Sequence, residues 1–495
     1  MDAYDVVVVG SGPNGLAAAV TLARAGLGVL VLEAETEAGG GARTQALPGS
    51  DTGLLHDTCS AVHPMALASP FFREFDLAAR GVELVEPEVQ FAHPLDHGEA
   101  GLAYRDAART AAGLGVDSDA WLGLVGRLSE HPDAVVSAGL GDRRSIPGEM
   151  LSSVAGFVAT ARFGLGVLEQ GTPLWGRRFR GEVAPALLTG VAAHAIAPLP
   201  TLSAAGTALM LATLAHSHGW PLPRGGSGAI TAALVADLLA HGGELRTGVR
   251  VASTADLPSA RAYVFDTTPR AAADILGARL PGTAERALRR FRYGNAAAKV
   301  DFVLSGPVPW ANDGVSRAGT VHLGGSRPQL VEAERAVAAG RHAEHPVTLV
   351  SDPALLDPGR EIGGLRPLWT YAHVPAGSTV DPTEAVTAQI ERFAPGFRDV
   401  VVSAHPTTAS RMSEHDANYV GGDIAAGSVT MWQMFARPTP HLDPWATGAP
   451  GAYLCSASTP PGPGVHGLGG YFAARQVLQR EFGTRTMPSL APERG

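Results

Sequence analysis

The stretch from Val6 to Glu33 constrains this chain more than any other. Val6 to Val9 is an unbroken β-branched run, as expected of a central parallel strand covered on both faces. Gly10-Ser11-Gly12-Pro13-Asn14-Gly15 follows at once. Gly10 permits a tight turn, Gly12 lets the backbone approach a pyrophosphate, and Gly15 lets the next helix pack closely on the strand, so phosphates would face that helix's N-terminal amides. From Leu16 to Ala25 the residues are small and helix-favouring, and Gly26 is a natural stop. A second strand, Val29 to Leu32, ends on Glu33 with Ala34 beside it, eighteen positions after Gly15. A carboxylate there accepts hydrogen bonds from ribose hydroxyls and disfavours a 2′-phosphate. Strand, glycines, helix, strand and acid in this order predict a Rossmann-type dinucleotide site.

The rest of the chain must supply the partner for that unit. At 495 residues it is too long for one simple core and is expected to form two domains, one of them discontinuous. Hydrophobic residues at 45% and charged residues at 17% suit wide apolar interior surfaces. The net charge of -9 comes without a Lys/Arg cluster, which argues against a nucleic-acid partner. Cys59 and Cys455 stand far apart in no metal spacing, so no metal site is expected, and a reduced, cytoplasmic protein is. Met1 to Asp5 lead into the first strand with no basic region or cleavage site, which predicts no signal peptide. The apolar stretch from Pro185 to Gly219 is broken by His194, Pro198, Pro200 and His216, so it reads as buried helices lining a pocket and not as a membrane span.

Glu37-Ala38-Gly39-Gly40-Gly41-Ala42-Arg43-Thr44 follows the acid where an NAD enzyme would enter its next helix. Such a loop can wrap the far side of a pyrophosphate, with Arg43 as a fixed charge. Here the chain resembles the flavin amine oxidase and phytoene desaturase superfamily. The segment from His56 to Pro64, Pro223 to Gly228, Lys299 to Trp310 and the C-terminal glycine-rich run look like its phytoene dehydrogenase-related branch. The resemblance implies an α/β fold, amine-oxidase/glutathione-reductase-like. A discontinuous FAD domain (1–105, 223–299, 441–495) would carry an α+β substrate domain (106–222, 300–440).

Ala452 to Ser456 reads as a short strand, followed by a glycine turn through Gly464, Val465 and His466 and then a helix from Tyr471. The resemblance lays this turn over the flavin, where amides near Val465 would stabilise charge on the reduced ring. It also implies noncovalent FAD touched by Gly10, Gly12, Pro13, Asn14, Gly15, Glu33, Ala34, Gly40, Gly41, Ala42, Arg43, His63, Val251, Thr267, Ser456, Gly464, Val465 and His466. Gly242 to Val251 looks like a strand pair closing the adenine pocket, and Ala262 to Pro269 like a strand returning to the sheet.

Ala298 to Leu304 alternates, which points Lys299, Asp301 and Val303 to one face and Val300, Phe302 and Leu304 to the other. The resemblance gives Lys299 the role of holding a water near flavin N5, with a simple Lys299–Asp301 pair as the alternative. Of the 17 histidines, His56, His63, His194, His322, His373 and His466 sit in apolar or glycine-rich surroundings. His466 and His63 are the catalytic candidates among them. Tyr371, His373, Tyr419 and Tyr471 are candidates for the substrate pocket.

These features imply a hydride-accepting oxidoreductase acting on a largely apolar small molecule, forming C=C or C=N. The electron acceptor stays open between oxygen, quinone and nicotinamide, and peripheral membrane contact and a homodimer are both allowed for. A redox-neutral flavin isomerase and a flavin-binding scaffold are the competing readings.

Overall fold

The computed structural model describes residues 4–47, 49–142 and 147–493. Met1 to Ala3 lie outside them. The β-branched run becomes the strand Tyr4–Val9, the middle strand of a five-stranded parallel sheet. Val29–Leu32 and then Glu244–Arg246 lie on one side of it, Ala260–Phe265 and then Ala452–Leu454 on the other. Alternate residues pack on opposite faces. Val6, Val8, Val29 and Val31 join a core with the Pro13–Arg24, Gly228–Ala240 and Leu468–Glu481 helices. Val7, Val9, Leu30 and Leu32 meet the Pro269–Leu276 helix. Covering both faces is what an all-apolar strand requires.

Two glycines set the spacing. A Cβ on Gly15 would stand 2.3 Å from the Gly10 carbonyl oxygen, and one on Gly470 would stand 1.8 Å from the Asn14 carbonyl oxygen. The Pro13–Arg24 helix is thus pressed against the turn before it and the C-terminal helix beside it. Of the expected Gly242 to Val251 strand pair, only Glu244–Arg246 forms. Gly248, at φ +70, turns the chain so that the Val249 N–H donates to the Glu33 carbonyl at 2.8 Å.

A second, seven-stranded sheet runs in the order Val401–Thr407, Ala296–Leu304, Arg366–Val374, Thr348–Ser351, Ala318–Leu323, Val89–Pro94, Ala100–Tyr104. The sequence reading assigned 1–105 wholly to the nucleotide unit, yet Val89–Pro94 pairs parallel with Ala318–Leu323 and carries Ala100–Tyr104 with it. The whole Ala296–Leu304 strand likewise belongs to this sheet, although 223–299 was assigned to the nucleotide unit. Backbone pairing decided both boundaries, and the sequence pattern of a strand does not show its partner.

The two faces of this sheet differ in chemistry. Val300, Phe302, Leu304, Val321, Leu323 and Leu368 pack against Val386, Ile390 and Phe393 of the Thr383–Phe393 helix. The opposite face carries one row across five strands: His322, Leu349, Tyr371, Lys299 and Thr407. The helices Val183–Ala192 and Leu202–Ser217 contribute to an apolar body beside this face. On that body the Val154–Gln170 helix turns Val154, Phe157, Leu165 and Leu168 outward to solvent. Among the described residues no helix is long and apolar enough to cross a membrane.

If the Gly470 contact sets the helix spacing, Gly470→Ala should overpack it and destabilise the protein by about 1–3 kcal/mol or more. Chemical denaturation checks this; an unchanged midpoint would mean that the helices are free to move apart.

Candidate functional site

Between the two sheets lies a cavity of about 290 Å³ that runs from the glycine turn to the helical body. Gly12, Pro13, Asn14, Gly41 and Ala42 form one end, Ser456, Gly464 and Val465 one side, and Trp369 and Tyr371 of the large sheet another. Ile196, Thr207, Met210, Leu211, Val429 and Met434 close the apolar end.

The cradle end is built from short-range constraints. Glu33 ends its strand facing the turn. Its Oε2 accepts the Ser11 N–H at 2.8 Å and the Ser11 hydroxyl at 2.5 Å, and its Oε1 accepts the Glu35 N–H at 2.9 Å. The carboxylate therefore holds the glycine turn in shape. Asp266, at the end of the Ala260–Phe265 strand, accepts the Gly15 N–H at 2.9 Å and lines the cavity. Burial pushes its carboxyl up to about 7, with Asp416 and Glu33 adding repulsion. Asp416 is pushed up to about 6, again chiefly by burial. Asn418 joins the two segments, since its Nδ2 donates to the Asp266 carbonyl at 3.1 Å and its Oδ1 accepts the Thr268 N–H at 2.9 Å.

Several of the expected residues meet at this cavity. Gly12, Pro13, Asn14, Gly41, Ala42, His63, Ser456, Gly464, Val465, Tyr371 and Tyr419 all line it. Tyr419 approaches Gly41 so closely that a Cβ there would stand 1.7 Å from the phenolic oxygen. His63 Nε2 lies 2.8 Å from the Ser227 hydroxyl, and burial pushes its imidazole down to about 4.

Other expectations are corrected. Lys299 is buried beneath the cavity wall and paired with Asp301, and it does not line the cavity. Burial alone would raise the Asp301 carboxyl, but Lys299 and His56 bring it below its ordinary value. His466 is fully buried inside its own turn. Its Nε2 lies 3.1 Å from the Gly462 carbonyl oxygen and its Nδ1 accepts the Leu468 N–H at 3.0 Å, so both nitrogens are engaged within the turn. His373 pairs with Glu334 behind Tyr371. Tyr471 packs on Phe71 and Phe472 away from the cavity. Arg43 turns its guanidinium to the Gly40 and His415 carbonyls and does not line the cavity. Gly10, Gly15 and Gly40 shape the turns without lining the cavity, and Glu33, Ala34, Val251 and Thr267 lie outside its wall.

The cavity also exposes residues that motif reading passes over, notably Asp266 and Asp416, and it brings to its wall His194, from the stretch expected to line a pocket. Asp266 stands in view as the first polar residue after the Ala260–Phe265 strand, the usual place for a ligand contact in an open α/β sheet. Asp416 reaches the site through folding of a distant segment and carries no such signal.

Fold and site together define a Rossmann-type dinucleotide-binding protein with a second, sheet-bearing domain over the cofactor cradle. Residues 8–75 match the model of the NAD(P)-binding Rossmann-like domain. An uncharacterized protein of Mycobacterium tuberculosis is 27% identical, over 96% of this chain and 97% of its own. Pyridine nucleotide-disulfide oxidoreductase domain-containing protein 2 of Rattus norvegicus is 22% identical, over 96% and 93%. Among solved structures, a redesigned putrescine oxidase superposes with a TM-score of 0.60 at 15% identity, covering 97% of this chain and 99% of that one. That likeness establishes a shared fold.

Two outcomes follow from the buried charges. Asp266 takes up a proton on folding between its ordinary value of 3.8 and about 7, so its contribution is full below that window and is lost as pH rises through it. Asp266→Asn should therefore melt a few degrees above wild type at pH 8 and gain nothing at pH 4, as read by calorimetry. Lys299→Met should cost about 3–5 kcal/mol by stranding the buried Asp301 carboxylate. Lys299→Met/Asp301→Leu should recover most of that loss in denaturant melts.

Proposed function

We propose that this chain is an FAD-dependent oxidoreductase that takes a hydride from a largely apolar small molecule as a C=C or C=N bond forms. The observation that carries the reading is the continuity of one cavity from a glycine cradle to an apolar wall. At the cradle end, a Cβ on Gly12 would stand 2.6 Å from the Asp266 carboxylate. On the opposite side, Gly464 has φ +127 and a Cβ there would stand 2.3 Å from Met65. A side chain at either place would displace its neighbour, and the positive φ of Gly464 itself favours glycine. Asn14 Oδ1 and His63 Nδ1 lie buried without partners on residues that line this path, and both are free to bind a polar ligand. These residues fit a dinucleotide.

In this reading the first turn of the Pro13–Arg24 helix and Gly41-Ala42 hold the diphosphate. Glu33, just beyond the cavity wall, would serve the ribose with the one Oε1 position that Ser11 and Glu35 leave free. The Gly464-Val465 turn covers the ring. Bound flavin would supply a two-electron acceptor. Asp266 and Asp416 meet the diphosphate largely as neutral acids below about pH 6, since burial holds both carboxyls up. Trp369, Tyr371, Ile196 and Met210 exclude water and orient the substrate by shape. Within the superfamily we assign the chain to the phytoene dehydrogenase-related branch, on the likeness of the segments His56 to Pro64, Pro223 to Gly228 and Lys299 to Trp310. The solved amine oxidase relative, named for putrescine, supports amine-type substrates as one class to try.

The test is an anaerobic visible spectrum of the purified protein before and after adding apolar amines, alcohols and cyclic alkenes. A flavin spectrum that bleaches with one class establishes the dehydrogenase reading and names its substrate class. Bound flavin that no compound reduces would favour an isomerase or scaffold. Failure to retain any flavin after reconstitution with FAD would sink the reading altogether.

A further inference from the structure

The polar face of the seven-stranded sheet carries more imidazole than structural duty explains. His322 is fully buried on the Ala318–Leu323 strand. Its Nε2 lies 2.8 Å from Nε2 of His194, with ring centroids 5.0 Å apart and planes at 76°. His194, unlike His322, is partly accessible and lines the cavity. The turn Ala193–Ala195 after the Val183–Ala192 helix puts it there, followed by Ile196 at φ +45. A β-branched residue in that conformation is strained, and such strain gathers where a fold must aim a side chain.

The protonation of the pair follows from its surroundings. Burial, and then His373, push the His194 imidazole down to about 3, and burial with His194 and His93 pushes His322 well below its ordinary value. Both rings are neutral at pH 7. Two neutral imidazoles that meet through Nε2 hold one proton between them, one ring donating and the other accepting. Among the described residues His322 Nδ1 is buried without a hydrogen-bond partner, so its one side-chain hydrogen bond is the Nε2 pair with His194. In the arrangement in which His322 Nε2 accepts the His194 Nε2–H, His194 Nδ1 is left as a lone pair. Among the described residues no hydrogen bond engages that Nδ1. The other groups facing the pair are His93 on the neighbouring strand, Tyr371, and His373 with its partner Glu334.

We propose that His194 accepts the proton the substrate loses as its double bond forms, and that His322 behind it takes over the charge. This rests on the dehydrogenase reading above. In the balanced step, the C–H electron pair leaves the substrate as hydride for the oxidised flavin, the two-electron acceptor. In a hydrocarbon the electrons of the adjacent C–H bond become the new C=C bond; in an amine the nitrogen lone pair forms the C=N bond and the N–H electrons take its place on nitrogen. That proton goes to His194 Nδ1 while the Nε2 proton of His194 passes to His322 Nε2. His194 ends neutral in its other tautomer and His322 ends protonated. A base this weak matches a strong acid, so the proton it takes is one made acidic by hydride departure and not that of a resting C–H bond. The substrate class that follows is a neutral amine or an activated hydrocarbon whose C–H breaks ahead of the neighbouring bond.

The test uses holoprotein with ring-¹⁵N histidine, together with His194→Gln and His322→Gln. In wild type, a coupling between the two Nε2 nuclei across the hydrogen bond is expected, and each variant should abolish it. Flavin bleaching by whichever panel compound reduces the protein should slow about 100-fold or more in His194→Gln and less in His322→Gln. Free imidazole should partly restore the rate in His194→Gly, a rescue that a merely structural histidine would not allow. Bleaching within about twofold of wild type in a folded His194→Gln, or no coupling in wild type, overturns the relay while leaving the dehydrogenase reading intact. A wild-type flavin that no compound bleaches sinks the dehydrogenase reading and the relay with it.

Discussion

The close contact of the Pro13–Arg24 helix with the turn before it and the helix beside it is the constraint on which the rest of the structure depends. Gly15 and Gly470 allow backbone to meet backbone at distances that no side chain tolerates. That contact brings the N-terminus of the helix, the end of the Ala260–Phe265 strand and the C-terminal glycine turn together, although they lie hundreds of residues apart. The five strands then end around one point, and a cradle with free polar atoms opens there. Asp266 joins the cradle to this contact, because the carboxyl that accepts the Gly15 N–H also faces the cavity.

The large sheet divides its labour by parity. One set of alternate residues is apolar and packs against the Thr383–Phe393 helix. The other set carries His322, Tyr371, Lys299, Asp301 and His373 beneath the cavity. Such groups are costly to bury singly, and the charged and imidazole members here have partners that lower the cost. Lys299 has Asp301, His373 has Glu334 and His322 has His194. Of these pairs, only the His194–His322 pair has a member on the cavity wall. That difference separates a group able to meet a substrate from groups that hold the wall in place.

Lys299 and His466 stand apart from the cavity wall for a common physical reason. A motif gives a residue's strand and face, and it does not give the identity of the neighbour across the sheet or within the turn. The alternation from Ala298 to Leu304 correctly put Lys299 and Asp301 on one face, and that same proximity consumed the lysine. His466 lies in the turn expected of it, but Gly462 and Leu468 occupy both its nitrogens. Arg43 likewise directs its guanidinium to backbone carbonyls of Gly40 and His415.

The nucleotide half of the protein was legible because its signals are local. An all-apolar strand, three spaced glycines and an acid at the end of the next strand act over a few residues, where sterics leave one workable geometry. The short strand at Ala452–Leu454 and the helix after its glycine turn were legible on the same grounds. By contrast, the partners of Val89–Pro94, the approach of Asp416 to the cradle and the meeting of His194 with His322 are contacts between segments far apart in the chain. Nothing in any one segment encodes them, because a strand's edge and a histidine's second nitrogen accept many partners. The sequence by itself determined that a dinucleotide cradle forms and where it lies. Only the tertiary structure decided which side chains look into the cavity beside it, since that depends on how the whole chain packs.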